Sequence, residues 1–255
     1  MITDKIDIIV EVRTGSKRFP KKTIKQIVGK TSIELMIERL KKVKKIRKII
    51  LATTRLKSDD IFVKIAKKNK VDIFRGSTND VMSRVLNASK FFGTEIIVEI
   101  TGDNPLIDPY LVTKMINKYL KVKKNINFIS NDIEIYKKKG KEITLGFSTK
   151  IFKSNFLGEI SKIAKKKIDR EVISNYIVKN NKKFKILNYK LPNHLTYKNY
   201  RLTVDYKEDF QLVSRIFEEL YFKKKFFNSR DICDFLNKNP YLLKINNSCK
   251  QKRYI

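Results

Sequence analysis

Ile8-Ile9-Val10-Glu11-Val12-Arg13-Thr14-Gly15-Ser16-Lys17-Arg18-Phe19-Pro20-Lys21-Lys22 is an apolar, β-branched run that stops abruptly in a small-residue turn crowded with cations. The run reads as a buried strand from Asp7 to Val12, and the Gly-Ser pair as the turn that ends it. A strand that delivers backbone N–H groups, a tight turn and several cations to one point suits a polyphosphate. Arginine grips phosphate oxygens with two parallel bonds, and lysine adds a compact mobile charge. A solvated basic loop would carry the same residues, so the rest of the chain has to decide.

Outward from this loop, strand and helix alternate. Thr31-Ser32-Ile33-Glu34 has the form of a capping box, followed by Ile33, Met36, Ile37, Leu40 and Val43 at helical spacing. Lys48 to Thr53 is a second buried strand, and Ser58-Asp59-Asp60 starts a helix carrying Ile61, Ile65 and Ala66. Val71 to Phe74 is a short strand, a helix begins near Asp80, and Glu95 to Ile100 is another strand. Asp108-Pro109 puts a cap and an N1 proline before a helix with Leu111, Val112, Met115 and Ile116. Strands apolar on both faces, separated by helices, predict an α/β fold with a mostly parallel, doubly wound sheet. Ligands then sit beyond the carboxyl ends of the strands, where the opening loop, Thr53-Thr54-Arg55, Arg75-Gly76-Ser77 and Thr101-Gly102-Asp103 converge.

After Ser130-Asn131 the pattern changes. Strand-like pieces at Ile143 to Phe152 and Phe184 to Tyr189 flank helical ones at Ser154 to Ala164 and Asp169 to Val178. This predicts an inserted α+β lobe at about 132–198 within a single domain spanning 1–255. Arg201 to Asp205 reads as a return to a buried strand. A helix with Phe210, Val213, Ile216 and Phe217 follows, and the chain closes with a short helical extension and polar tail at about 222–255.

With 255 residues and 42% hydrophobic composition, the chain can bury a proper core. No stretch approaches the ~20 apolar residues that span a bilayer. Met1-Ile2-Thr3-Asp4-Lys5 runs straight into a strand without a signal-peptide pattern, so a cytoplasmic location and no membrane partner are expected. Cys233 and Cys249 show no metal-ligand spacing and read as free thiols. The net charge of +32 would attract nucleic acid if concentrated on one face, but the lysines are spread along the whole chain. Lys, Asn and Ile are abundant together, as AT-rich coding produces, and no nucleic-acid readout motif is present, so nucleic acid is not the expected partner.

Two aspartates end strands: Asp103 follows Glu95 to Ile100, and Asp205 ends Arg201 to Val204. Mg²⁺ takes one or two carboxylates and completes its shell with substrate phosphates and water. Either aspartate alone could be a cap, of the turn before Pro105 or of the helix near Lys207. Both at one rim with a phosphate loop point to a metal.

These pieces together resemble the cytidylyltransferases that activate sugar acids, closest to the spore-coat polysaccharide biosynthesis F type, with CMP-Kdo synthetase and CMP-acylneuraminate synthetase more distant. The family's opening motif, Ile-Ile-Gln-Ala-Arg-Met-Gly-Ser-Thr-Arg-Leu-Pro-Gly-Lys, is matched at Ile8, Ile9, Arg13, Gly15, Ser16, Arg18, Pro20 and Lys22. Ala52-Thr53-Thr54, Phe74-Arg75-Gly76-Ser77 with Asp80-Val81 and Arg84, and Thr101 to Pro109 follow at proper spacing. Ser130-Asn131, Asp169-Arg170-Glu171, and Arg201 to Asp205 with Glu208-Asp209-Phe210 complete the series. The resemblance implies the Rossmann-like fold of nucleotide-diphospho-sugar transferases. It implies transfer of CMP from CTP to a sugar-acid hydroxyl with release of pyrophosphate. Arg13, Arg18 and Lys22 would hold the triphosphate, with Gly15 and Ser16 giving the backbone access to it. Asp103 and Asp205 would carry Mg²⁺, so that Arg13, Lys22, Asp103 and Asp205 form the catalytic group. Thr53, Ser77, Asp80 and Arg84 would line the base and ribose pocket, and a homodimer is expected.

The chain departs from the family pattern at four places. Gln-Ala is here Glu11-Val12, and the glycine before the motif lysine is Lys21. Gly-Leu-Asp-Val-Glu-Val-Phe is Gly146-Phe147-Ser148-Thr149-Lys150-Ile151-Phe152, and Arg-Glu-His-Val-Thr is Arg170-Glu171-Val172-Ile173-Ser174. The last two fall where the sugar would bind and imply an altered acceptor with retained nucleotide chemistry. A relative using another nucleotide, a catalytically silent homologue and a basic nucleic-acid binder are the competing readings. His194, the only histidine, has no assigned role.

Overall fold

The computed structural model describes residues 4–133, 144–196, 200–224 and 226–251. The opening run forms β1 (Ile6–Glu11), and a short antiparallel pair, β2 (Gln26–Ile27) and β3 (Lys30–Thr31), leads into α1 (Ser32–Leu40). Thr31 and Glu34 make the expected capping box, each side chain taking the other residue's backbone N–H. The alternation then proceeds through β4 (Lys48–Thr54), α2 (Ile61–Asn69), β5 (Asp72–Gly76), α3 (Val81–Phe92), β6 (Ile96–Thr101) and α4 (Pro109–Val122). Asp80 caps α3 through the N–H of Ser83, and Asp108 caps α4 through Tyr110 and Leu111. The second half adds β7 (Phe128–Ser130), β8 (Lys150–Lys153), α5 (Ser154–Ile163), α6 (Lys167–Glu171), α7 (Ile173–Lys179) and β9 (Ile186–Asn188). Helices α8 (Lys207–Leu220) and α9 (Ser229–Lys238) follow.

Seven strands form one sheet in the order β5-β4-β1-β6-β8-β7-β9. All pairings are parallel except those of β8 with β6 and with β7. Alternate residues of β1 feed opposite cores. Ile8 and Val10 pack with α1, α4, α8 and α9, while Ile9 packs with α3, α5 and α7. The result is a three-layer α/β arrangement whose parallel strand ends β1, β4, β5 and β6 share one rim, as the sequence predicts. Among the described residues no helix is long and apolar enough to cross a membrane.

Four local readings differ from the sequence. The stretch 132–198 does not stand apart from the sheet, because β8 and β9 hydrogen-bond into it; residues 134–143 and 197–198 lie outside the described residues. Of the strand expected at Ile143 to Phe152, Ile143 is likewise outside them, and the strand proper starts at Lys150. The helix expected from Asp169 to Val178 is two, broken at Val172, whose extended backbone (φ −128°, ψ 95°) serves α7 as N-cap. Arg201 to Asp205 is buried but not a strand: it contributes one isolated bridge, Leu145 with Arg201. The N–H groups of Asp205 and Tyr206 go instead to the Asp209 carboxylate, which closes the start of α8. That contact also shows that Asp209, not Asp205, caps this helix.

Candidate active site

The loop after β1 is closed on Thr14. Its carbonyl accepts the N–H groups of Ser16 and Lys21, while its own N–H and hydroxyl donate to the Asp59 carboxylate at 2.8 and 2.6 Å. Thr54, at the end of β4, donates to the other Asp59 oxygen, so two neighbouring strand ends are pinned by one buried carboxylate. Burial pushes the Asp59 carboxyl up, but these donors outweigh it and hold it below its ordinary value. Lys21 then takes a left-handed backbone (φ 58°, ψ 21°), the conformation a glycine adopts without steric cost. This places Lys22 with its ammonium over the segment that follows β6 and the segment that leads into α8.

Lys22 Nζ donates to Asp103 Oδ2 at 3.1 Å, to Asp205 Oδ1 at 2.9 Å and to the Val204 carbonyl at 2.6 Å. Arg18 reaches the same Asp205 oxygen at 2.7 Å, with its guanidinium 5.2 Å from the centre of the Tyr206 ring. The Val204 N–H donates to the Asp103 carbonyl at 2.8 Å and ties the two acidic segments together. Thr101 donates to the second Asp103 oxygen, and Arg201 to the second Asp205 oxygen. Arg201 is itself held by Asp209 and by Gln251, and Asn246 bonds both Arg201 and Asp209. Burial opposes the charge on Lys22, yet Asp103 and Asp205 outweigh it and raise its pKa. Burial likewise pushes Asp103 up, but Lys22 and Thr101 keep it below its ordinary value. Gly102 lets these segments meet, since a Cβ there would lie 2.9 Å from the Glu11 carbonyl oxygen.

Of the residues singled out in the sequence, Arg18, Lys22, Asp103 and Asp205 thus come together directly. Arg13 points elsewhere: its guanidinium is 3.5 Å from the Thr78 carbonyl and 3.6 Å from Glu171 across the cleft. Gly15 has open space where a Cβ would stand, and Ser16 accepts the Phe19 N–H at 3.4 Å. Thr53 is fully buried at the end of β4. Ser77, Asp80 and Arg84 form a small structural group: Ser77 Oγ accepts the Asp80 N–H, and Arg84 donates to the Ser77 carbonyl. The Asp80 carboxylate accepts from both Ser83 and Arg170. His194 pairs with Ser229 Oγ at 2.9 Å and does not line the cleft described next.

A cleft enclosing about 840 Å³, open mouth included, runs from Arg18, Asp103 and Asp205 inward to Glu11, Glu99 and Lys150. Glu99 on β6 is in register with Lys150 on β8, and their side chains form a buried ion pair at 3.0 Å. Glu11 lies beside them on β1, and burial first, then the neighbouring Glu99 charge, drives its carboxyl well above the ordinary range. Asp132 accepts from both Ser130 and Ser148 along the same wall. Sequence reasoning noted Glu11, Ser148, Lys150 and Val172 only as departures from a pattern; all four line this cleft. Arg201 and Asp209 stand in the sequence as matches to the family pattern and Asp59 as part of a helix start, and neither they nor Glu99 carry a site role there. Glu99 left a signal, a charge inside an otherwise apolar strand, which demands a buried partner.

Two carboxylates, one just past the end of β6 and one just before α8, gathered on a cationic loop at one rim of a mostly parallel sheet define an α/β nucleotidyltransferase. A family model for cytidylyltransferases matches residues 8–238, and the chain belongs to that family. An uncharacterized protein of Methanocaldococcus jannaschii (MJ1063) is 38% identical over 250 residues, which is 98% of each chain. The spore coat polysaccharide biosynthesis protein SpsF of Bacillus subtilis is 24% identical over 91% of this chain and 94% of its own. A cytidylyltransferase structure from Leptospira borgpetersenii superimposes with a TM-score of 0.87 at 33% identity, covering 98% of this chain and all of that one.

Proposed function

We propose that the protein transfers CMP from CTP to a hydroxyl of a sugar acid or related surface-glycan sugar, releasing pyrophosphate. The observation that carries this reading is Lys22 Nζ bridging Asp103 and Asp205 with Arg18 alongside, since two carboxylates held by cations form the charge pattern of a metal–triphosphate site. The cytidylyltransferase family supplies the base, and the SpsF likeness supports a surface-glycan acceptor.

Asp103 and Asp205 suit a hard divalent ion such as Mg²⁺, which binds through one or two carboxylates and leaves its other positions to water and phosphate. Among the described residues no third His, Cys, Asp or Glu joins them, in keeping with such a sparse donor set. When bound, the ion would orient the nucleotide and draw charge from the α-phosphate. Lys22, which holds both carboxylates here, would with Arg18 and Arg13 neutralise the triphosphate in the transition state. Gly15 and Ser16 let the loop backbone approach the phosphates. Thr53, Ser77, Asp80 and Arg84 line the base and ribose pocket, with Asp80 and Arg84 holding the loop that frames it. The acceptor hydroxyl attacks the α-phosphorus as the bond to the bridging oxygen of the β-phosphate breaks, and pyrophosphate leaves. The same reading makes the chain a single-domain cytoplasmic homodimer, with about 132–198 serving the acceptor and the partner subunit.

The test is pyrophosphate release with Mg²⁺, each of the four nucleoside triphosphates and a panel of 2-keto sugar acids. Turnover with CTP alone is expected. Turnover with another triphosphate, or none with any, refutes the reading.

A further inference from the structure

The cations that are scattered along the sequence are gathered in space. Strands β1, β4, β5 and β6 run parallel, and β7 and β9 point the same way because β8 is antiparallel to both β6 and β7. Segments that leave these strands reach the site's rim, so segments that enter them lie at the opposite one. Four of the entering segments are cationic: 41–48 at β4, 67–70 at β5, 118–124 at β7 and 182–185 at β9. Together they hold fifteen lysines, Arg47 and no acid. Contacts tie them to one rim. Arg47 grips Asp7 near the start of β1 and the Phe92 carbonyl at the end of α3. Lys48 pairs with Asp72 at the start of β5, and Lys123 with Asp4 just before β1. Asn127, just before β7, bonds both the N–H and the carbonyl of Lys185.

Compositional bias does not produce this segregation, since the loops at the site's rim carry Asp59, Asp60, Asp80, Asp103 and Asp108 among their cations. Neither does helix stabilisation, because lysine offsets a helix dipole only in the last turn, and most of 41–48 and all of 182–185 lie past it. Among the described residues Arg47, Lys48, Lys68 and Lys123 are ion-paired, and every other one of the sixteen cations is exposed. Phe91, at the end of α3, stands 72% exposed on this rim beside Phe92, whose ring carries Lys48. The rim runs from β5 to β9, the whole width of the sheet, roughly 30 Å at the usual strand spacing. Its partner is therefore broad and anionic. Nucleic acid fits less well: the single arginine, the residue with a fixed fork for phosphates and bases, is occupied by Asp7. Stacking of successive bases needs several aromatic platforms, and here one exposed ring stands among lysines. Mobile lysines around an apolar side chain suit a charged lipid surface.

We propose that the strand-entry rim docks on an anionic lipid bilayer, with its lysines over the headgroups, Phe91 inserted at their level and the active-site rim turned to the aqueous side. The contact is peripheral and shares no residue with the nucleotide site.

Sedimentation of the full chain tests this with vesicles of phosphatidylcholine alone and of equal parts phosphatidylcholine and phosphatidylglycerol, at about 0.1 M and about 0.5 M salt. Binding to the mixed vesicles at low salt is expected, at least about tenfold weaker at high salt, with none to phosphatidylcholine alone. Each lysine at such a surface is worth roughly fivefold in partitioning, so Lys44→Gln with Lys45→Gln should weaken binding roughly twenty-five-fold. Phe91→Ser should weaken it about tenfold. Lys165→Gln with Lys166→Gln removes the same charge at the site's rim, where Arg170 ties the Ala164 carbonyl to Asp80, and should leave binding unchanged. Lys182→Gln with Lys183→Gln replaces the first pair if thermal unfolding shows that variant misfolded. Absence of binding to the mixed vesicles, an equal loss from the pair at the site's rim, or undiminished binding by Phe91→Ser overturns the proposal. So does tighter binding to duplex DNA at equal phosphate concentration, which assigns the rim to nucleic acid.

Discussion

Replacing Lys22 by Met keeps most of the side chain's volume and removes the ammonium that holds Asp103 and Asp205 together. Breaking a buried ion pair by deleting one partner costs about 3–5 kcal/mol, because the remaining charge stays buried without compensation. Here the cost is smaller. The Asp103 side chain keeps 24% of its surface and the Thr101 bond, and Asp205 keeps Arg18 and Arg201. A loss of about 2–3 kcal/mol at neutral pH follows once solvent screening is allowed for. The pH dependence has a definite sign. In the wild type the Asp103 pKa is lowered from 3.8, so its contribution is complete above that value and fades as the pH falls through the depressed one. Removing Lys22 takes away the largest influence that lowers the Asp103 carboxyl and leaves burial to raise it, so the variant's Asp103 takes up its proton at higher pH than the wild type's and the wild-type advantage closes on acidification. A divalent ion should act in the opposite direction to the substitution. In the variant it meets two carboxylates with no ammonium to displace, and at a hundredfold excess over its Kd it adds about 2.7 kcal/mol. Urea unfolding of both proteins, with and without Mg²⁺ and across acid pH, reads all three effects. A variant as stable as wild type without metal, or a gap that Mg²⁺ leaves unchanged, would refute the reasoning.

Other outcomes follow from single contacts. Lys21→Gly relieves a left-handed backbone that costs a side-chain-bearing residue roughly 1–2 kcal/mol; after glycine's extra unfolded-state entropy, a net gain of about 0.5–1 kcal/mol should appear in urea unfolding. Gly102→Ala places a methyl 2.9 Å from the Glu11 carbonyl oxygen, so strands β1 and β6 must part; a loss of about 1–3 kcal/mol and weaker CTP binding are expected, and wild-type values for both would exclude the close approach. Thr31→Ala removes one arm of the α1 capping box and should cost about 1 kcal/mol by thermal unfolding, with CTP binding unchanged.

The parts of the fold written in local chemistry were legible in the sequence. Thr31 with Glu34, Asp80, and Asp108 with Pro109 announce helix starts through bonds that close within a few residues. Strand β8 was harder, because its two lysines hide a short antiparallel strand whose Lys150 is neutralised by Glu99 across the sheet. Arg201 to Val204 alternates like a strand, yet its continuation spends its N–H groups on the Asp209 carboxylate, a side-chain contact that hydrophobic periodicity does not encode. The site divides the same way. Asp103 and Asp205 were visible because each follows an apolar run. The supporting roles of Arg201, Asp209 and Asn246 were not, since these act through one another across 45 residues of chain. The inner cleft was visible only as four departures from a pattern, and three-dimensional contact is what makes Glu11 and Lys150 neighbours.

The central claim is that Asp103 and Asp205, held on the loop after β1, are the metal-dependent end of a CTP site. Calorimetric titration of CTP into the wild type and into Asp103→Asn and Asp205→Asn, with and without Mg²⁺, tests it most directly. CTP binding strengthened by Mg²⁺ is expected in the wild type, with that strengthening lost in both variants while their unfolding transitions stay cooperative. Equal Mg²⁺-dependent CTP binding by all three proteins would contradict it.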